Sequence, residues 1–514
     1  MKNGSPQLFG VIHIGSEQVS LQVVEYKSLS DIKVIERAIS QVGLGEETFK
    51  YGRIGFGTVK QICELLKGYR RILQEYGVKD YRLFATTAIR EAENQAYIVD
   101  QIKVKTGFNV EVVDVTQEIF HKYVALFRAV ESEDMISSLK SILFVDISSG
   151  GLGITLYEAG GLKYQQNIHI GTLRIKEGFN KNQRESSCFY QALTEFISST
   201  VRPVGEALMG SKIKYMVLSG IETGLLLKML GHEVNGKLKF VRIADFLELH
   251  DRVKRLNLPQ VMQEFGLSQQ RAEMVLPTIV LYKQILDLAN VEDIVVSGAQ
   301  FGDGIIISDI GEKTGDSWKK VIEEQMISLV HALGRKYKYD KRHALWVEEA
   351  ALLLFDKLVK VHGLGVRERF LLQVAAILHD VGKFISLRRH YFYSYLIISS
   401  TDIFGFSEEE KTMMANIALY HSSKTPVPTE TEFAALSPEG RRTVSKLVAI
   451  IRLADALDRS HFQKITIGKV ALHAEEMILD VHSEQDISLE EWTFLDKTEY
   501  FEQVFGLKAV VRRY

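Results

Sequence analysis

Two segments of the first half of the chain share one pattern of apolar and polar positions. Residues 8–24 read LFGVIHIGSEQVSLQVV, and residues 141–157 read SILFVDISSGGLGITLY. Each is an apolar run, a turn of small residues and an alternating run, which predicts a β-hairpin. Aligning His13 with Asp146 keeps the apolar positions in step. We therefore expect a duplicated domain with a cleft between its copies; two unrelated hairpins are the alternative.

Strands and helices alternate along the rest of this half. The pattern predicts a helix over 59–76, a strand over 81–86, a helix from Ala88 onward and a strand over 111–115. Strands beginning at Tyr215 and Asp293 each end in a glycine, and the first leads into a helix at Glu222. This alternation is typical of an α/β architecture.

Helical periodicity dominates from about Trp318. No proline occurs between Pro277 and Pro426, and apolar residues recur at helical spacing over 347–361, 367–378, 408–420 and 442–457. Strand patterns return over 465–470 and 477–481, followed by a helix over 492–505 and a strand over 508–511. The predicted domains are two α/β domains (1–135 and 136–312), an all-α domain (313–462) and a small α+β domain (463–514).

Composition narrows the classes of protein that fit. A chain of 514 residues is too long for a single core. The net charge of −2 gives no general attraction to nucleic acid or anionic lipid, so we expect neither partner. Two cysteines without a CxxC motif fit a reducing compartment. No signal pattern and no apolar run near ~20 residues occurs, so the predicted location is the cytoplasm.

The turns of the two hairpins are candidate phosphate-binding loops. Small residues let the backbone approach an anion closely, so that its N–H groups can donate to phosphate oxygens. The candidates are Gly15 and Ser16 in the first turn and Ser148, Ser149, Gly150 and Gly151 in the second.

Three residues of the first half are candidate catalytic groups. Glu118 follows a strand pattern, where a carboxylate can orient or deprotonate water; an ordinary glutamate near a helix N-terminus is the alternative. Asp146 ends an apolar strand and fits a contact to metal or water, or else a turn. Arg90 can clamp an anion or lie on an exposed helix surface.

The helical segment carries an ordered series of metal-ligand side chains. The series consists of His343, His379, Asp380, His421 and Asp455, each on or at the end of a predicted helix. Imidazole and carboxylate groups on facing helices can converge on one divalent cation. Such an ion lowers the pKa of water and polarises a phosphoryl oxygen. A surface or core role is the alternative for any one histidine.

Together these pieces resemble the exopolyphosphatase/guanosine pentaphosphate phosphohydrolase (Ppx/GppA) family, in its long form. The resemblance rests on the order of FGVIHIGSEQVSLQVV, TTAIREAEN, VEVVDVTQEIF, LFVDISSGGLGI, VVSGAQFGDGI, AAILHDVGKFIS and IIRLADALDRSH. It implies duplicated actin-like ATPase (ribonuclease H-like) domains, a helical HD-type domain and a small C-terminal domain. It also implies Mg²⁺ or Mn²⁺ as cofactor, a transition metal at the HD site, and a homodimer.

By position, Glu118 matches the family's water-activating glutamate, Arg90 its arginine, and Asp146 with the glycines after it the second phosphate loop. The loops depart from the family pattern, because His13 and Gly153 stand where the family has acidic residues and Glu17 where it has asparagine. Losing acidic contacts weakens binding of a magnesium–phosphate unit.

Three functions follow from these observations. The first is removal of the terminal phosphate from polyphosphate or guanosine pentaphosphate in the cleft between the actin-like domains. The second is metal-dependent hydrolysis of a nucleotide or phosphoester at the HD site, with the front half as a sensor. The third is binding of polyphosphate or a guanosine polyphosphate without turnover.

Overall fold

The chain divides into two units, Met1–Met326 and Ile327–Tyr514. The computed structural model describes residues 5–133, 135–136, 141–220, 222–232 and 238–514. Helix α14 (Trp318–Lys336) contains the point of division.

A five-stranded sheet opens the first unit. Its strands are β1 (Gln7–Ile14), β2 (Gln18–Ser28), β3 (Asp31–Gln41), β4 (Tyr81–Ala85) and β5 (Val110–Val112). They lie in the order β3-β2-β1-β4-β5. Strands β1, β4 and β5 are parallel, and β2 is antiparallel to both of its neighbours, β1 and β3. The central strands are buried as near-continuous apolar runs, as expected for a sheet covered on both faces.

A six-stranded sheet follows and repeats this arrangement. Its strands are β6 (Ile142–Ile147), β7 (Leu152–Glu158), β8 (Gly161–Ile168), β9 (Ile213–Gly220), β10 (Lys239–Val241) and β11 (Val291–Val296). The order β8-β7-β6-β9-β11 matches the first sheet in position and direction, and β10 adds one antiparallel edge strand. The duplication predicted from the two hairpins is therefore confirmed.

Helices connect and cover these sheets. They are α1 (Leu44–Tyr51), α2 (Phe56–Glu75), α3 (Thr87–Arg90), α4 (Gln95–Thr106), α5 (Val115–Ser132), α6 (Thr172–Gly178), α7 (Lys181–Arg184), α8 (Phe189–Leu208), α9 (Thr223–Met229), α10 (Ile243–Val253), α11 (Leu258–Phe265), α12 (Gln269–Leu288) and α13 (Phe301–Thr314). Helix α5 leads from the first sheet to the second, and α13 returns to pack against α5, β1 and β2. Gly304 permits this packing, because a Cβ there would lie 1.8 Å from the carbonyl oxygen of His121.

The second unit is helical with a small sheet. Its elements are α15 (Lys341–Lys357), α16 (Val359–His362), α17 (Val366–Leu378), a 3₁₀ turn (Val381–Phe384), α18 (His390–Ser400), α19 (Glu408–Tyr420), α20 (Thr431–Ala434), α21 (Pro438–Ala456), β12 (Thr466–Leu472), β13 (Glu476–His482), α22 (Ser488–Phe505) and β14 (Lys508–Arg513). Helices α15, α17, α19 and α21 pack on one another. In the sheet, β13 lies between antiparallel β12 and parallel β14.

Most predicted elements are present, and several bounds were wrong. The helix predicted from Ala88 onward is broken, since α3 ends at Arg90 and α4 begins at Gln95. The strand predicted over 111–115 ends at Val112, because Asp114 caps α5. The helix predicted over 347–361 starts six residues earlier, at Lys341, where Asp340 accepts hydrogen bonds from backbone N–H groups. The three boundaries between the four predicted domains stay predictions.

Within the part of the chain that the structure describes, no helix is both long and apolar enough to cross a membrane.

Candidate functional site

The first candidate site lies where the carboxyl end of β6 meets α3 and the start of α5. Asp114 caps α5 in a capping box with Gln117, which places Glu118 in the first helical turn. Lys122 follows four residues later, so it lies on the same face of the helix. Arg90 ends α3, and Asp146 lies near the end of β6. We call Arg90, Glu118, Lys122 and Asp146 the cleft cluster.

Ion pairs join all four side chains of the cleft cluster. Lys122 Nζ lies 3.2 Å from Glu118 Oε1 and 2.8 Å from Asp146 Oδ2. Arg90 Nη1 donates to Glu118 Oε2 at 3.0 Å and to the carbonyl oxygen of Val113 at 2.8 Å. Ser219 Oγ donates to the other oxygen of Asp146, Oδ1, at 2.7 Å. The predicted catalytic residues therefore lie together, and Arg90 is partly buried rather than on an open helix surface.

The cations of the cleft cluster control how Glu118 titrates. Burial alone would raise the pKa of Glu118, but Lys122 and Arg90 more than offset it and lower that pKa to about 2. Burial would likewise lower the pKa of Lys122, but Asp146 and Glu118 raise it above its ordinary value. Glu118 and Lys122 are therefore both charged at neutral pH, and Glu118 is a weak proton acceptor.

A small cavity adjoins the cleft cluster. Its volume is about 20 Å³, which is room for about one water molecule. Besides the cluster, it is lined by Thr87, Ser148, Gly150, Gly151, Asn167 and His169, among others. Three of the predicted phosphate-binding residues, Ser148, Gly150 and Gly151, thus lie beside the predicted catalytic residues.

The structure does not bring the other predicted phosphate-binding residues to this cavity. Ser149 donates to Glu17 Oε1 at 2.6 Å. Ser16 and Glu17 line a separate cavity of about 460 Å³, together with Lys176 and Arg271. Gly15 lies in the β1–β2 turn, where its N–H donates to the carbonyl oxygen of Gln18. These residues do not form a single phosphate loop with the cleft cluster.

A divalent ion does not fit the cleft cluster as it stands. Glu118 Oε1 and Asp146 Oδ2 both contact the ammonium of Lys122. An ion such as Mg²⁺ would need those oxygens as ligands. The Mg²⁺ or Mn²⁺ expected from the family resemblance would therefore have to replace the ammonium of Lys122 to bind between these two carboxylates.

The second candidate site lies in the helical unit. Asp340 caps α15 and fixes its first turn, which carries His343. His379 and His421 occupy the C-terminal caps of α17 and α19, and Asp455 lies in the last turn of α21. All five predicted ligands are buried and lie together, with one further histidine. We call His343, His379, Asp380, His390, His421 and Asp455 the histidine–aspartate cluster.

His390 was not among the predicted ligands. It begins α18, which packs against the 3₁₀ turn that follows Asp380. Gly382 permits the contact, because a Cβ there would lie 2.1 Å from the carbonyl oxygen of His390. The Gly two residues after Asp380 was visible in the sequence, but its role depends on the approach of α18.

Ligand atoms of the histidine–aspartate cluster face one another at short distances. His343 Nε2 lies 3.2 Å from His379 Nε2, 3.3 Å from Asp455 Oδ1 and 3.8 Å from Asp380 Oδ2. Metal–ligand bonds of about 2.0–2.2 Å separate neighbouring ligand atoms by roughly 3.0–3.6 Å, so this spacing suits one ion with little movement.

Asp380 also faces a second group of ligand atoms. Its Oδ1 lies 3.4 Å from His390 Nε2 and 3.6 Å from His421 Nε2, whereas its Oδ2 faces His343 and His379. Asp380 thus belongs to two overlapping sets of groups able to hold a metal ion.

Each histidine of the cluster is held through its other ring nitrogen. His379 Nδ1 donates to the carbonyl oxygen of Ala376 at 2.7 Å, and His421 Nδ1 donates to that of Ala418 at 2.6 Å. Because a carbonyl only accepts, Nδ1 carries the hydrogen and Nε2 presents its lone pair to the cluster. This arrangement fixes both the tautomer and the ring orientation.

Asp458 plays the same part for His343. Its Oδ2 lies 2.8 Å from His343 Nδ1, and its Oδ1 accepts from the backbone N–H of Gln463 at 2.7 Å. Asp458 was missed by the sequence reasoning, although it follows Asp455 by three residues on the chain.

The charges of the cluster favour a cation. The pKa values of Asp380 and Asp455 lie well below their usual range, because the surrounding histidines outweigh the effect of burial. Burial would lower the pKa of His343, but Asp455, Asp458 and Asp380 raise it to about 9, so an ion that binds there at neutral pH has to replace the proton on Nε2. Two buried carboxylates beside imidazole lone pairs are a donor set suited to Mn, Fe, Co, Ni or Zn.

Comparison with known sequences shows which class of enzyme the chain belongs to: it is a phosphoanhydride hydrolase. The sequence model described as "Ppx/GppA phosphatase family" matches residues 22–313, and the model "Ppx/GppA phosphatase, domain III" matches residues 327–499. The first match alone spans more than half of the chain. The chain therefore belongs to the Ppx/GppA phosphatase family.

Two relatives match over almost their whole length. A guanosine-5'-triphosphate,3'-diphosphate pyrophosphatase of Aeromonas salmonicida is 21% identical over 476 residues, covering 92% of this chain and 91% of the relative. The protein of the same name from Vibrio vulnificus is 22% identical over 479 residues, with the same shares covered.

Solved structures resemble the chain in fold. An exopolyphosphatase of Cytophaga hutchinsonii superposes with a TM-score of 0.54 at 20% identity, over 60% of this chain and 98% of that one. The Aquifex aeolicus member of the Ppx/GppA family gives a TM-score of 0.51 at 19% identity, over 60% and 99%. The predicted actin-like fold of the front half is thereby confirmed.

Proposed function

We propose that this phosphohydrolase carries out its chemistry at the histidine–aspartate cluster, which makes the helical unit an HD-type metal centre. The observation that carries the proposal is the shared orientation of the imidazoles. His379 and His421 each present Nε2 to Asp380 while Nδ1 is held by a backbone carbonyl. Such double anchoring is typical of metal ligands.

The residues divide into ligands and groups that handle the substrate. His343, His379, Asp380 and Asp455 would hold one ion, and His390 and His421 extend the set on the other side of Asp380. A bound divalent ion supplies Lewis acidity towards a phosphoryl oxygen and lowers the pKa of water.

Lys383 is placed to bind an anionic oxygen of the substrate's phosphoryl group. Its Nζ contacts Asp380 Oδ2 at 2.5 Å and lies 3.2 Å from His461 Nε2, and its side chain reaches solvent. The ammonium of Lys383 can leave its ion pair with Asp380 and pair instead with an anionic oxygen of the substrate. It neutralises charge on the phosphoryl group while the histidines keep their ring orientation.

The substrate class follows from the relatives. Their names specify a guanosine polyphosphate or polyphosphate, both of which are phosphoanhydrides. We propose the same class for this chain, with guanosine pentaphosphate and inorganic polyphosphate as the first compounds to test.

The cleft cluster supports a second candidate, in which Glu118 activates water and Arg90 clamps the terminal phosphate. The contact between Arg90 and Glu118 and the neighbouring Ser148, Gly150 and Gly151 favour it. Against it, the pKa of Glu118 is lowered to about 2, so the carboxylate is a poor base at neutral pH.

The test is phosphate release from polyphosphate and guanosine pentaphosphate with Mn²⁺ or Mg²⁺, combined with metal analysis of the purified protein. Asp380→Asn is expected to lower kcat at least about 100-fold, since it removes a charged ligand facing both groups. Glu118→Gln is expected to stay within about threefold of the wild type. Asp356→Asn, which changes an exposed carboxylate on α15, serves as the matched control.

The outcomes separate the three functions. A large loss with Glu118→Gln and none with Asp380→Asn would overturn the proposal and assign the chemistry to the cleft. Tight binding of either compound without phosphate release by the wild type would favour the non-catalytic regulator.

A further inference from the structure

Every carboxylate oxygen of the cleft cluster already has a donor from the protein. Glu118 Oε1 contacts Lys122, and Oε2 accepts from Arg90 at 3.0 Å and from Thr87 at 3.3 Å. Asp146 Oδ1 accepts from Ser219, and Oδ2 contacts Lys122. An ion that bridged Glu118 Oε1 and Asp146 Oδ2 would have to replace the ammonium of Lys122, which contacts both oxygens.

Lys122 is a fixed part of the cluster rather than a mobile surface lysine. Its side chain is 17% exposed, and those of Glu118 and Asp146 are 9% and 14% exposed. The spacing of four residues on α5 holds Lys122 beside Glu118, and the end of β6 brings Asp146 to the other side. Both anchoring elements are buried and regular.

Charges around the cleft cluster balance without an added ion. Three cations, Arg90, Lys122 and Arg174, face three anions, Glu118, Asp146 and Glu91. Arg174 Nη2 pairs with Glu91 Oε2 at 2.5 Å, and its Nε donates to the carbonyl oxygen of Gly150 at 2.9 Å. An incoming divalent cation would meet a neutral site in which the carboxylate charge is already used.

We propose that Lys122 is the resident cation of the cleft: its ammonium holds the position between Glu118 and Asp146 that a divalent metal ion would need, and so excludes the ion. Any phosphate group that enters the cleft then does so without a metal bridge to these carboxylates. This inference does not depend on the chemistry proposed for the histidine–aspartate cluster, which lies in the other unit.

Counting bound Mn²⁺ tests the proposal on the full chain. Lys122→Met removes the ammonium and keeps an apolar stem of similar length. It is expected to bind one Mn²⁺ per chain more than the wild type, measured by equilibrium dialysis with electron paramagnetic resonance. Adding Asp146→Asn to Lys122→Met should remove that extra ion. Ions held by the histidine–aspartate cluster are the same in all variants and cancel in the difference.

Lys176→Met is the matched control. Lys176 is also a buried lysine of the first unit, paired with Glu273 at 3.1 Å and with Glu46 at 3.6 Å, but it lies outside the cleft cluster. It is expected to gain no Mn²⁺. An equal gain in both variants would overturn the assignment, because any uncovered carboxylate pair would then recruit an ion.

A second variant guards against failure of Lys122→Met to fold. Lys122→Gln keeps two N–H donors without the charge and is expected to gain the same ion. Mn²⁺ should raise the unfolding temperature of either variant more than that of the wild type. Equal Mn²⁺ stoichiometry in the wild type and the folded Lys122 variant would refute the proposal. The proposal would also be refuted if Asp146→Asn, made in the wild type, removed one bound Mn²⁺, because the wild type would then already hold an ion at Asp146.

Discussion

Asp458 controls the tautomer of His343, and Asp458→Asn tests that control. In the wild type one carboxylate oxygen accepts from His343 Nδ1, and the other accepts from the backbone N–H of Gln463. An asparagine can keep only one of these acceptors. Because the backbone N–H of Gln463 cannot change its role, the amide oxygen should face Gln463 and the NH₂ group should face His343.

His343 then has to accept at Nδ1 and carry its hydrogen on Nε2, which faces Asp455 at 3.3 Å. A protonated Nε2 is no metal ligand. Loss of a partner behind a ligating histidine weakens metal affinity by roughly 10–100-fold, or about 1.4–2.7 kcal/mol. At an ion concentration of 100 times the wild-type Kd, stabilisation by the metal should fall from about 2.7 to as little as about 0.4 kcal/mol.

Competition with a fluorescent chelator measures the affinities for Zn²⁺ and Mn²⁺, and urea unfolding of the full chain with and without the ion measures the stabilisation. Asp356→Asn is again the control, since it removes the same charge from the exposed side of α15. Unchanged metal affinity in folded Asp458→Asn would refute the assignment of His343 as a ligand held by Asp458.

Three further predictions concern stability. Burial, with the negative charge of Glu17, raises the pKa of Glu222 from 4.5 to about 7, so the wild type should lose roughly 3 kcal/mol as pH rises from 4.5 to 7. Glu222→Gln should abolish that loss in urea titrations at pH 5 and 8. Arg452→Met frees three backbone carbonyls at and just after the end of α19 and should cost roughly 3 kcal/mol, with faster hydrogen exchange there. Gly304→Ala should cost roughly 3 kcal/mol by urea unfolding because of the 1.8 Å contact, whereas Gly302→Ala should be close to neutral.

Local pattern was enough to predict the framework of the fold. The two hairpins, the helices at 367–378 and 408–420, and the closing strand–helix–strand each have a clear period of their own. The break after Arg90 was missed, because residues 91–94 continue a helical pattern while the chain turns there to pair Asn94 with Ile54. Such a tertiary contact leaves no periodic signal.

The candidate sites show the same limit. Residue type and order were enough to predict that the five candidate ligands lie together, because a lone carboxylate on an apolar helix needs a partner. His390 begins the next helix, α18, and only the close approach of that helix brings it to Asp380. For Lys122, the spacing from Glu118 was readable in the sequence, but the contact with Asp146 depends on the packing of α5 beside β6. The predicted homodimer and cytoplasmic location stay predictions.

The two clusters differ in the nitrogen groups that surround their carboxylates, a charged ammonium in one and imidazoles in the other. That difference decides what each cluster can bind. Lys122 brings a positive charge and no lone pair, so together with Arg90 it balances the charges of Glu118 and Asp146 without an external cation. The histidines bring lone pairs on Nε2, because backbone carbonyls take the hydrogens on Nδ1 of His379 and His421. Asp380 pairs with Lys383 through Oδ2, whereas its Oδ1 faces the rings of His390 and His421 and Asp455 Oδ1 faces those of His343 and His379, so these two oxygens remain available to an ion. Two carboxylates thus form an internal salt bridge in one unit, and two others form part of a candidate metal centre in the other.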